Sequence, residues 1–151
     1  MSLSFRDATE ADLPAIVALL ADDALGASRE DTSLPLAEGY ADAFRAIAAT
    51  PYQRLIVATD DGVAIGTMQI LLIPAVSRQG SWRGQIEAVR IASHLRGSGR
   101  GEAFVKWAIK QCRSAGCVSV QLTSDNARLD AHRFWRRIGF LPTHVGFKIS
   151  F

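Results

Sequence analysis

The chain has 151 residues, of which 48% are hydrophobic and 21% are charged, and this composition is typical of a globular protein with a sizeable core. Its 17 Lys and Arg and 15 Asp and Glu leave a net charge of +2, too small for the concentrated basic face of a nucleic-acid-binding protein. No apolar run approaches the roughly 20 residues of a membrane span, and the first residues lack the apolar core of a signal peptide. With only two cysteines, we expect a cytoplasmic protein that needs no disulfide and binds neither nucleic acid nor membrane.

Hydrophobic periodicity divides the first half of the chain into three strands and two helices. The predicted order is a strand at Leu3–Asp7, a helix from Thr9 to Leu20, a polar loop at Asp22–Ser33, a helix marked by Leu36, Tyr40, Phe44 and Ile47, and strands at Arg54–Thr59 and Val63–Ile73. Thr9 is a favourable helix N-cap, and Asp60-Asp61-Gly62 is typical of a hairpin turn.

The second half alternates strands and helices. The predicted order is a loop at Val76–Trp82, a strand at Gln85–Ile91, a helix after Gly101 that ends at Gly116, a strand at Cys117–Thr123 with Val118, Val120 and Leu122 on one face, a helix from Ala131 to Gly139, and one or two strands over Phe140–Phe151. Cys112 falls on the apolar stripe of its helix, so we expect it to be a packing residue. The pattern predicts a single α/β domain over residues 1–151, with helices on both faces of one mixed sheet.

A glycine-rich loop inside Val89–Glu102 is the most informative motif. Alternate glycines follow a β-branched strand and lead into a helix: Gly97, Gly99 and Gly101. Glycine allows close backbone approach, and the amides at a helix N-terminus attract anions. Arg96 and Arg100 add positive charge. The loop is therefore predicted to hold a phosphate or pyrophosphate, the alternative being a simple turn.

The spacing disfavours two common nucleotide sites. A Walker loop requires Gly-Lys-Ser/Thr at its end, and no lysine follows Gly101. A dinucleotide fingerprint requires G-x-G-x-x-G, whereas this loop reads G-x-G-x-G. A nucleotide-binding protein is therefore a weak third alternative.

The pattern Arg96-x-x-Gly99-x-Gly101 resembles the pyrophosphate loop of the GNAT-type N-acetyltransferases, which use acetyl-CoA. Other segments resemble that family in the same order: Thr9–Leu13, Asp61-Gly62 with Ile65-Gly66, Ile86–Ile91, and Phe134–Phe140. The resemblance covers almost the whole chain. It implies the GNAT fold, a mixed and mostly antiparallel sheet whose fourth and fifth strands splay apart to admit the pantetheine arm.

The resemblance also implies a cofactor site. Backbone groups of Val89, Arg90 and Ile91 are expected to pair with pantetheine. The pyrophosphate is expected at Arg96 and at the amides of Gly97, Ser98, Gly99, Arg100 and Gly101. Asn126 stands near the place of a pantetheine-contacting asparagine, and a turn or cap role is the alternative.

Acetyl transfer to an alkylamine requires removal of a proton, because such amines have a pKa near ~10.4. Glu87 is the candidate general base, the alternatives being an exposed carboxylate or a partner for Arg83 or Arg90. An amide near Val89 is expected to polarise the acetyl carbonyl. Many family members protonate the leaving thiolate with a tyrosine, but Trp135 occupies that position and indole only donates. The general acid stays open among solvent, His132, His94 and Ser124.

The acceptor is expected to be a small-molecule or peptide amine, and the resemblance implies that it binds between the segments Ser77–Arg83 and Ala21–Ala37. Trp82 and Arg83 are candidates to contact an acidic or aromatic acceptor. The alternatives are that Asp22 and Asp23 attract a cation, or that both segments are solvated loops. Because Trp135 lacks a hydroxyl, a non-catalytic acyl-CoA-binding sensor or subunit is the alternative function.

The resemblance also implies a homodimer, often formed in this family through the C-terminal strands. Apolar residues alternate at the end of the chain, and they are expected either to pair across a sheet edge or to form the core face of one internal strand: Phe147, Ile149 and Phe151. No metal site is predicted.

Overall fold

The computed structural model describes residues 2–151. Its elements are β1 (Leu3–Asp7), α1 (Leu13–Leu20), α2 (Ala24–Ala27), α3 (Glu38–Ala48), β2 (Gln53–Asp60), β3 (Val63–Pro74), α4 (Ser77–Gly80), β4 (Trp82–Ile91), α5 (Arg100–Ser114), β5 (Cys117–Gln121) and α6 (Leu129–Ile138). Short 3₁₀ turns precede α1, at Glu10–Asp12, and α5, at Ser93–Leu95. No helix within residues 2–151 is long and apolar enough to cross a membrane.

The strands form one sheet in the order β1-β2-β3-β4-β5. Neighbours from β1 to β4 are antiparallel, and β5 lies parallel to β4. The predicted hairpin between β2 and β3 is confirmed: Asp61 and Gly62 have φ of 49° and 81°, the two positive values that a tight hairpin turn requires. The mixed, mostly antiparallel sheet agrees with the predicted fold class.

Helices cover both faces of the sheet, as the alternation of side chains along β2 requires. Ile56 and Ala58 point to one face, where they form the main core with Phe104 and Ala108 of α5. Leu55 points to the other face, where it meets α1 and α3. Cys112 belongs to the main core and is fully buried, which confirms its predicted packing role, and burial raises the pKa of its thiol to about 11.

Helix ends follow their sequence signals. The Thr9 amide donates to Asp12 Oδ2 at 2.7 Å, which completes the predicted cap before α1. Gly116 and Gly139 have φ of 93° and 118° after α5 and α6, the left-handed conformation that ends a helix at glycine.

The fourth and fifth strands diverge. Pairing between them runs only from Trp82↔Cys117 to Gln85↔Gln121, whereas β4 continues to Ile91. The last six residues of β4 therefore have no partner on β5, and a gap opens between the two strands. This gap confirms the predicted splay.

A bulge lies on β4 where the gap opens. Gln69 pairs with Glu87 and Thr67 pairs with Arg90, so Ala88 and Val89 stand opposite Met68 alone. Ala88 has φ of 52°, an uncommon value for a residue with a Cβ, and such values concentrate at functional sites. An antiparallel pair points its side chains to one face, and residues two apart on a strand share a face. The bulge thus places Glu87 and Arg90 on the same face, although they are three residues apart.

Several predicted boundaries are corrected. Strand β4 begins at Trp82 rather than Gln85, and α2 interrupts the predicted loop at Asp22–Ser33. In β5 the register shifts by one residue between Cys117 and Ser119, so Val118 has no partner on β4 and is exposed. The predicted common face of Val118, Val120 and Leu122 is therefore wrong at Val118.

The predicted strands over Phe140–Phe151 are absent from the structure. This segment leaves α6 without regular secondary structure. The side chains of Val145, Phe147, Ile149 and Phe151 are each at least 78% exposed. The alternation that predicted a strand is present, but no strand of the same chain pairs with it.

Candidate active site

The glycine loop lies directly beyond the open end of β4. Gly97 and Gly99 have φ of 80° and 84°, conformations that disfavour any residue with a Cβ, and Gly99 is the N-cap of α5. The first backbone bond of α5 runs from the Ala103 amide to Gly99 O at 3.1 Å. The amides of Gly101 and Glu102 precede that bond, in the first turn where backbone amides have no intrahelical acceptor. Such a turn presents donors and a helix dipole to an anion, so the loop fits a pyrophosphate.

Asp22, just after α1, accepts hydrogen bonds from the segment between β4 and the glycine loop. Its Oδ2 accepts a hydrogen bond from the Ser93 amide at 2.7 Å, and its backbone carbonyl accepts one from Arg96 Nη2. Arg96 Nε also donates to Ile91 O, at 3.3 Å. The Arg96 side chain therefore ties β4 to the segment after α1. The sequence analysis placed Asp22 in a polar loop, as one of the acidic residues that would attract a cationic acceptor, and its spacing gave no signal of this contact.

Arg100 is also engaged in the fold. Its Nη2 lies 2.8 Å from Asp60 Oδ2, and both side chains are largely buried. The ion pair fixes the first turn of α5 to the end of β2.

The open edge of β4 comprises Val89, the second residue of the bulge, with Arg90 and Ile91 after it, and none of the three has a partner on β5. Amides and carbonyls along such an edge can pair with an extended amide-containing arm, as a peptide adds to a sheet. Gly101 packs below this edge, where a Cβ would lie 3.5 Å from Ile91 Cγ1 and 3.6 Å from Phe134 Cζ. The edge and the loop form one continuous surface that fits an amide-rich arm ending in a pyrophosphate.

Glu87 stands at the start of the gap and is exposed. Gln85 Nε2 donates to Glu87 Oε1 at 2.6 Å, and Gln121 Nε2 donates to Gln85 Oε1 at 2.8 Å. Within residues 2–151 Glu87 forms no ion pair, so the alternative that it partners Arg83 or Arg90 is not what the structure shows. The two glutamines orient the carboxylate while leaving it open to solvent.

A cavity of about 130 Å³ lies beside the bulge, between α1, α3 and the sheet. Ala88 and Gln69 form its edge near Glu87, and most of its lining is apolar. Members from the helices include Leu13, Ile16, Val17, Tyr40 and Phe44. A carbon chain of modest size fits here.

Asp23 joins both sides of the gap. Its Oδ2 lies 3.1 Å from Arg90 Nε on β4 and 2.9 Å from Arg128 Nη1 at the start of α6. Its Oδ1 accepts a hydrogen bond from the Gly26 amide. Burial acts to raise the pKa of Asp23, but the hydrogen bonds from Arg128 and Gly26 and the charge of Arg90 outweigh it, so the pKa lies below its usual value. Asp23 is therefore ionised at neutral pH.

Two further predicted site residues, Trp135 and Asn126, lie in α6 and in the turn before it. Trp135 of α6 packs edge-on against Phe134 and Phe140, with ring centroids 4.9 and 5.6 Å away. Asn126 is exposed in the turn before α6, where Asp125 Oδ1 accepts from the Ala127 amide.

Trp82 and Arg83 open β4, at the opposite end from the glycine loop. The Trp82 ring contacts Tyr52 edge-on at 4.9 Å. At about 3.3 Å per residue, Trp82 lies about 20 Å along the strand from Ala88.

Comparison with known proteins identifies the class. A family model described as "Acetyltransferase (GNAT) family" matches residues 16–140. The chain belongs to this family and is an acetyltransferase, and its open mixed sheet is the GNAT fold.

Three individual proteins are similar to the chain. A solved structure from Bacillus halodurans C-125, described as a transcriptional regulator, is 42% identical with a TM-score of 0.96, over 99% of this chain and 100% of that one. Aminoalkylphosphonate N-acetyltransferase of Salmonella typhimurium is 27% identical over 73% of this chain and 71% of its own length. Glucosamine 6-phosphate N-acetyltransferase of Trypanosoma brucei brucei is 32% identical over 52% of this chain, and the match spans 52% of that relative.

Proposed function

We propose that the protein is an N-acetyltransferase that transfers the acetyl group of acetyl-CoA to a primary amine of a small molecule or peptide. The observation that carries this proposal is the open edge of β4 running into the glycine loop with its positive-φ Gly97 and Gly99. Family membership supports it, because the matching family is one of acetyltransferases. We propose residues 1–151 as one catalytic domain, and a cytoplasmic location agrees with the two free thiols, Cys112 and Cys117.

Each part of the site has a proposed role. Acetyl-CoA supplies the activated acetyl thioester. The backbone of Val89 to Ile91 pairs with its pantetheine arm, and Asn126 contacts pantetheine from the opposite side of the gap. The amides of Gly97 to Gly101 bind its pyrophosphate, except that of Ser98, which donates to Leu95 O at 3.2 Å. The amide of Val89, the second residue of the bulge, donates to the acetyl carbonyl oxygen.

Glu87 accepts the amine proton, directly or through one water. The amine nitrogen then forms a bond to the acetyl carbon as the carbon–sulfur bond breaks, and the thiolate takes a proton from solvent. Solvent suffices because a thiol is fairly acidic, near the ~8.5 of cysteine. Trp135 has no proton of accessible pKa to give and serves as an aromatic wall.

The acceptor amine is proposed to enter from the face that carries Glu87. The cavity beside Ala88 and Gln69 receives its carbon portion. Both named N-acetyltransferase relatives act, by their names, on amines that carry a phosphonate or a phosphate. Amines of this kind are therefore the first acceptors to screen. Trp82 and Arg83 are proposed to contact only acceptors long enough to extend along β4.

The first experiment is a calorimetric titration of the protein with acetyl-CoA. Ser98→Glu adds a carboxylate to the exposed loop without a positive φ at that residue, and Gly99→Glu adds one together with backbone strain of about 1–2 kcal/mol. We expect both variants to lose at least tenfold in affinity. Gly39→Glu is the matched control, because nothing lies within 4 Å of a Cβ at this helix position.

No binding by the wild-type protein would refute the proposal. Binding without acetylation of any amine would favour the alternative, a non-catalytic acyl-CoA sensor. Two observations support that alternative: Trp135 has no hydroxyl, and one similar structure is described as a transcriptional regulator.

We also propose a homodimer. The exposed alternating side chains of residues 145–151 and the outer edge of β5, which pairs with β4 alone, are complementary unpaired features. Pairing them between two copies would cover both.

A further inference from the structure

We propose that Arg90 and Arg128 bind a phosphate or phosphonate group carried by the acceptor amine. This inference rests on the proposed acetyltransferase function. The two guanidinium groups reach the same point from the two sides of the gap, Arg90 from β4 and Arg128 from the start of α6. Both contact the same oxygen, Asp23 Oδ2.

The donors of this pair are largely unused. A guanidinium has five N–H groups. Among residues 2–151, Arg90 makes one hydrogen bond, from Nη1 to Val89 O at 3.0 Å, and Arg128 makes one, from Nη1 to Asp23 Oδ2. Arg90 Nε is buried and makes none, although Asp23 Oδ2 lies 3.1 Å away. The side chains of Arg90 and Arg128 are only 16% and 23% exposed. Among their unpaired nitrogens within residues 2–151 only Arg90 Nε is fully buried, so the others are open to a ligand.

The surroundings carry an excess of positive charge. Burial lowers the pKa of Arg90, whereas the negative charge of Asp23 raises it. The nearby charges of Arg128, Arg96 and Arg29 lower the pKa of Arg90 further. Three carboxylates stand among these four guanidinium groups: Asp22, Asp23 and Asp125, the last 3.7 Å from Arg29. The net excess is therefore one positive charge. A phosphoryl group carries about −1.5 to −2 charge and three acceptor oxygens, so it would more than neutralise this excess and would accept hydrogen bonds from the unused donors.

The position fits an acceptor. The bulge at Ala88 turns Arg90 to the face that carries Glu87, because their partners Thr67 and Gln69 share a face of β3. Arg90 lies about 7 Å along the strand from Ala88, so one amine can reach Glu87 while its anionic group lies between the two arginines. The pyrophosphate of the cofactor has its own donors at the glycine loop.

Steady-state kinetics at saturating acetyl-CoA test the pair. The acceptors are aminoethylphosphonate and ethanolamine, which differ in the anionic group. We expect the wild-type enzyme to prefer aminoethylphosphonate in kcat/KM, and Arg128→Gln to lower this preference by about tenfold or more, the loss expected for a charge-assisted hydrogen bond. Arg133→Gln, on the same helix but exposed, is the matched control and should keep the preference.

The outcomes are separable. Equal kcat/KM for the two acceptors in the wild-type enzyme would overturn this inference and leave the acetyltransferase function intact. A loss of acetyl-CoA affinity in Arg128→Gln, with the preference unchanged, would assign the pair to a phosphate of the cofactor and also overturn it. If no amine is acetylated, the proposed function fails. Calorimetry of aminoethylphosphonate with the CoA-saturated protein then decides the anion site by itself: binding lost in Arg128→Gln supports it, and no binding overturns it.

Discussion

Glu87 is held by polar neighbours that leave it open for proton transfer. Gln85 donates to it and Gln121 holds Gln85, so the carboxylate is oriented without a cation to neutralise it. If Glu87 is the general base, Glu87→Gln keeps the shape and the hydrogen-bonding reach but cannot accept a proton. We expect kcat/KM for the acceptor to fall by about 10²–10⁴ at neutral pH, measured by CoA release.

The pH profile of the same variant separates a base from a binding role. As pH approaches the ~10.4 pKa of an alkylamine, the free amine becomes abundant and the need for a base declines. The defect of Glu87→Gln should therefore shrink toward alkaline pH. The exposed helix variant Glu38→Gln controls for lost surface charge and should match the wild-type profile. A defect that stays constant with pH would argue for binding alone.

At the residue scale, sequence predicted the backbone parts of the candidate loop better than its charged side chains. A run of alternate glycines before a helix is a backbone signal, and Gly97 and Gly99 indeed adopt positive φ. The directions of Arg96 and Arg100 could not be predicted, because each is set by a partner distant in sequence. Arg96 donates to the carbonyl of Asp22, and Arg100 pairs with Asp60.

At the element scale, Gly84 allows β4 to pack closely on α5. A Cβ at this position would lie 2.5 Å from Cys112 Sγ and 2.9 Å from Cys112 Cβ. Because Cys112 is fully buried, neither element can move aside freely. We expect Gly84→Ala to lower the free energy of unfolding by about 1–3 kcal/mol, measured by urea denaturation.

Gly39→Ala is the matched control for that substitution. Gly39 lies in α3 with open space around its Cβ position. Alanine there should raise the free energy of unfolding by up to about 1 kcal/mol, since it restricts the unfolded chain and favours the helix. Equal effects of the two variants would contradict the proposed close packing of β4 on α5.

Element types and order followed from local patterns, but the irregularities did not. Strands β2 and β3 lie close to their predicted bounds because alternation and a hairpin turn are local signals. The bulge at Ala88 contains no glycine, so the sequence gives no sign of the positive φ at this residue. Its position depends on pairing with β3, as the extra residue Val118 depends on pairing with β4. Both irregularities change which side chains of β4 and β5 lie on the same face of the sheet beside the gap.

At the scale of the whole molecule, the site is assembled from distant segments around one split in the sheet. Residues 22–23, β4, the glycine loop and the start of α6 meet there. Asp23 bridges Arg90 and Arg128 across the split, 67 and 105 residues away in sequence. No periodicity encodes such contacts, so the arginine pair was not predicted as a unit. The sheet topology that brings the two arginines together was predicted.

The C-terminal segment, residues 145–151, predicts the oligomeric state of the whole molecule. Its apolar side chains alternate with polar ones over residues 145–151 and lie open to solvent, while β5 has a free outer edge. We expect sedimentation equilibrium to give a dimer of the 16.3 kDa chain. Phe147→Glu should weaken it, because burying a phenylalanine contributes about 1.5–3 kcal/mol and a twofold dimer contains two.

That loss amounts to roughly 3–6 kcal/mol per dimer, or about two to four orders of magnitude in the dissociation constant. Lys148→Glu changes the neighbouring residue, which alternation places on the opposite face of the segment, and should leave the dimer intact. If the wild-type chain sediments as a monomer at all concentrations, the homodimer is excluded. If Lys148→Glu dissociates the dimer as fully as Phe147→Glu, charge rather than the apolar face holds it, and the strand-pairing explanation fails.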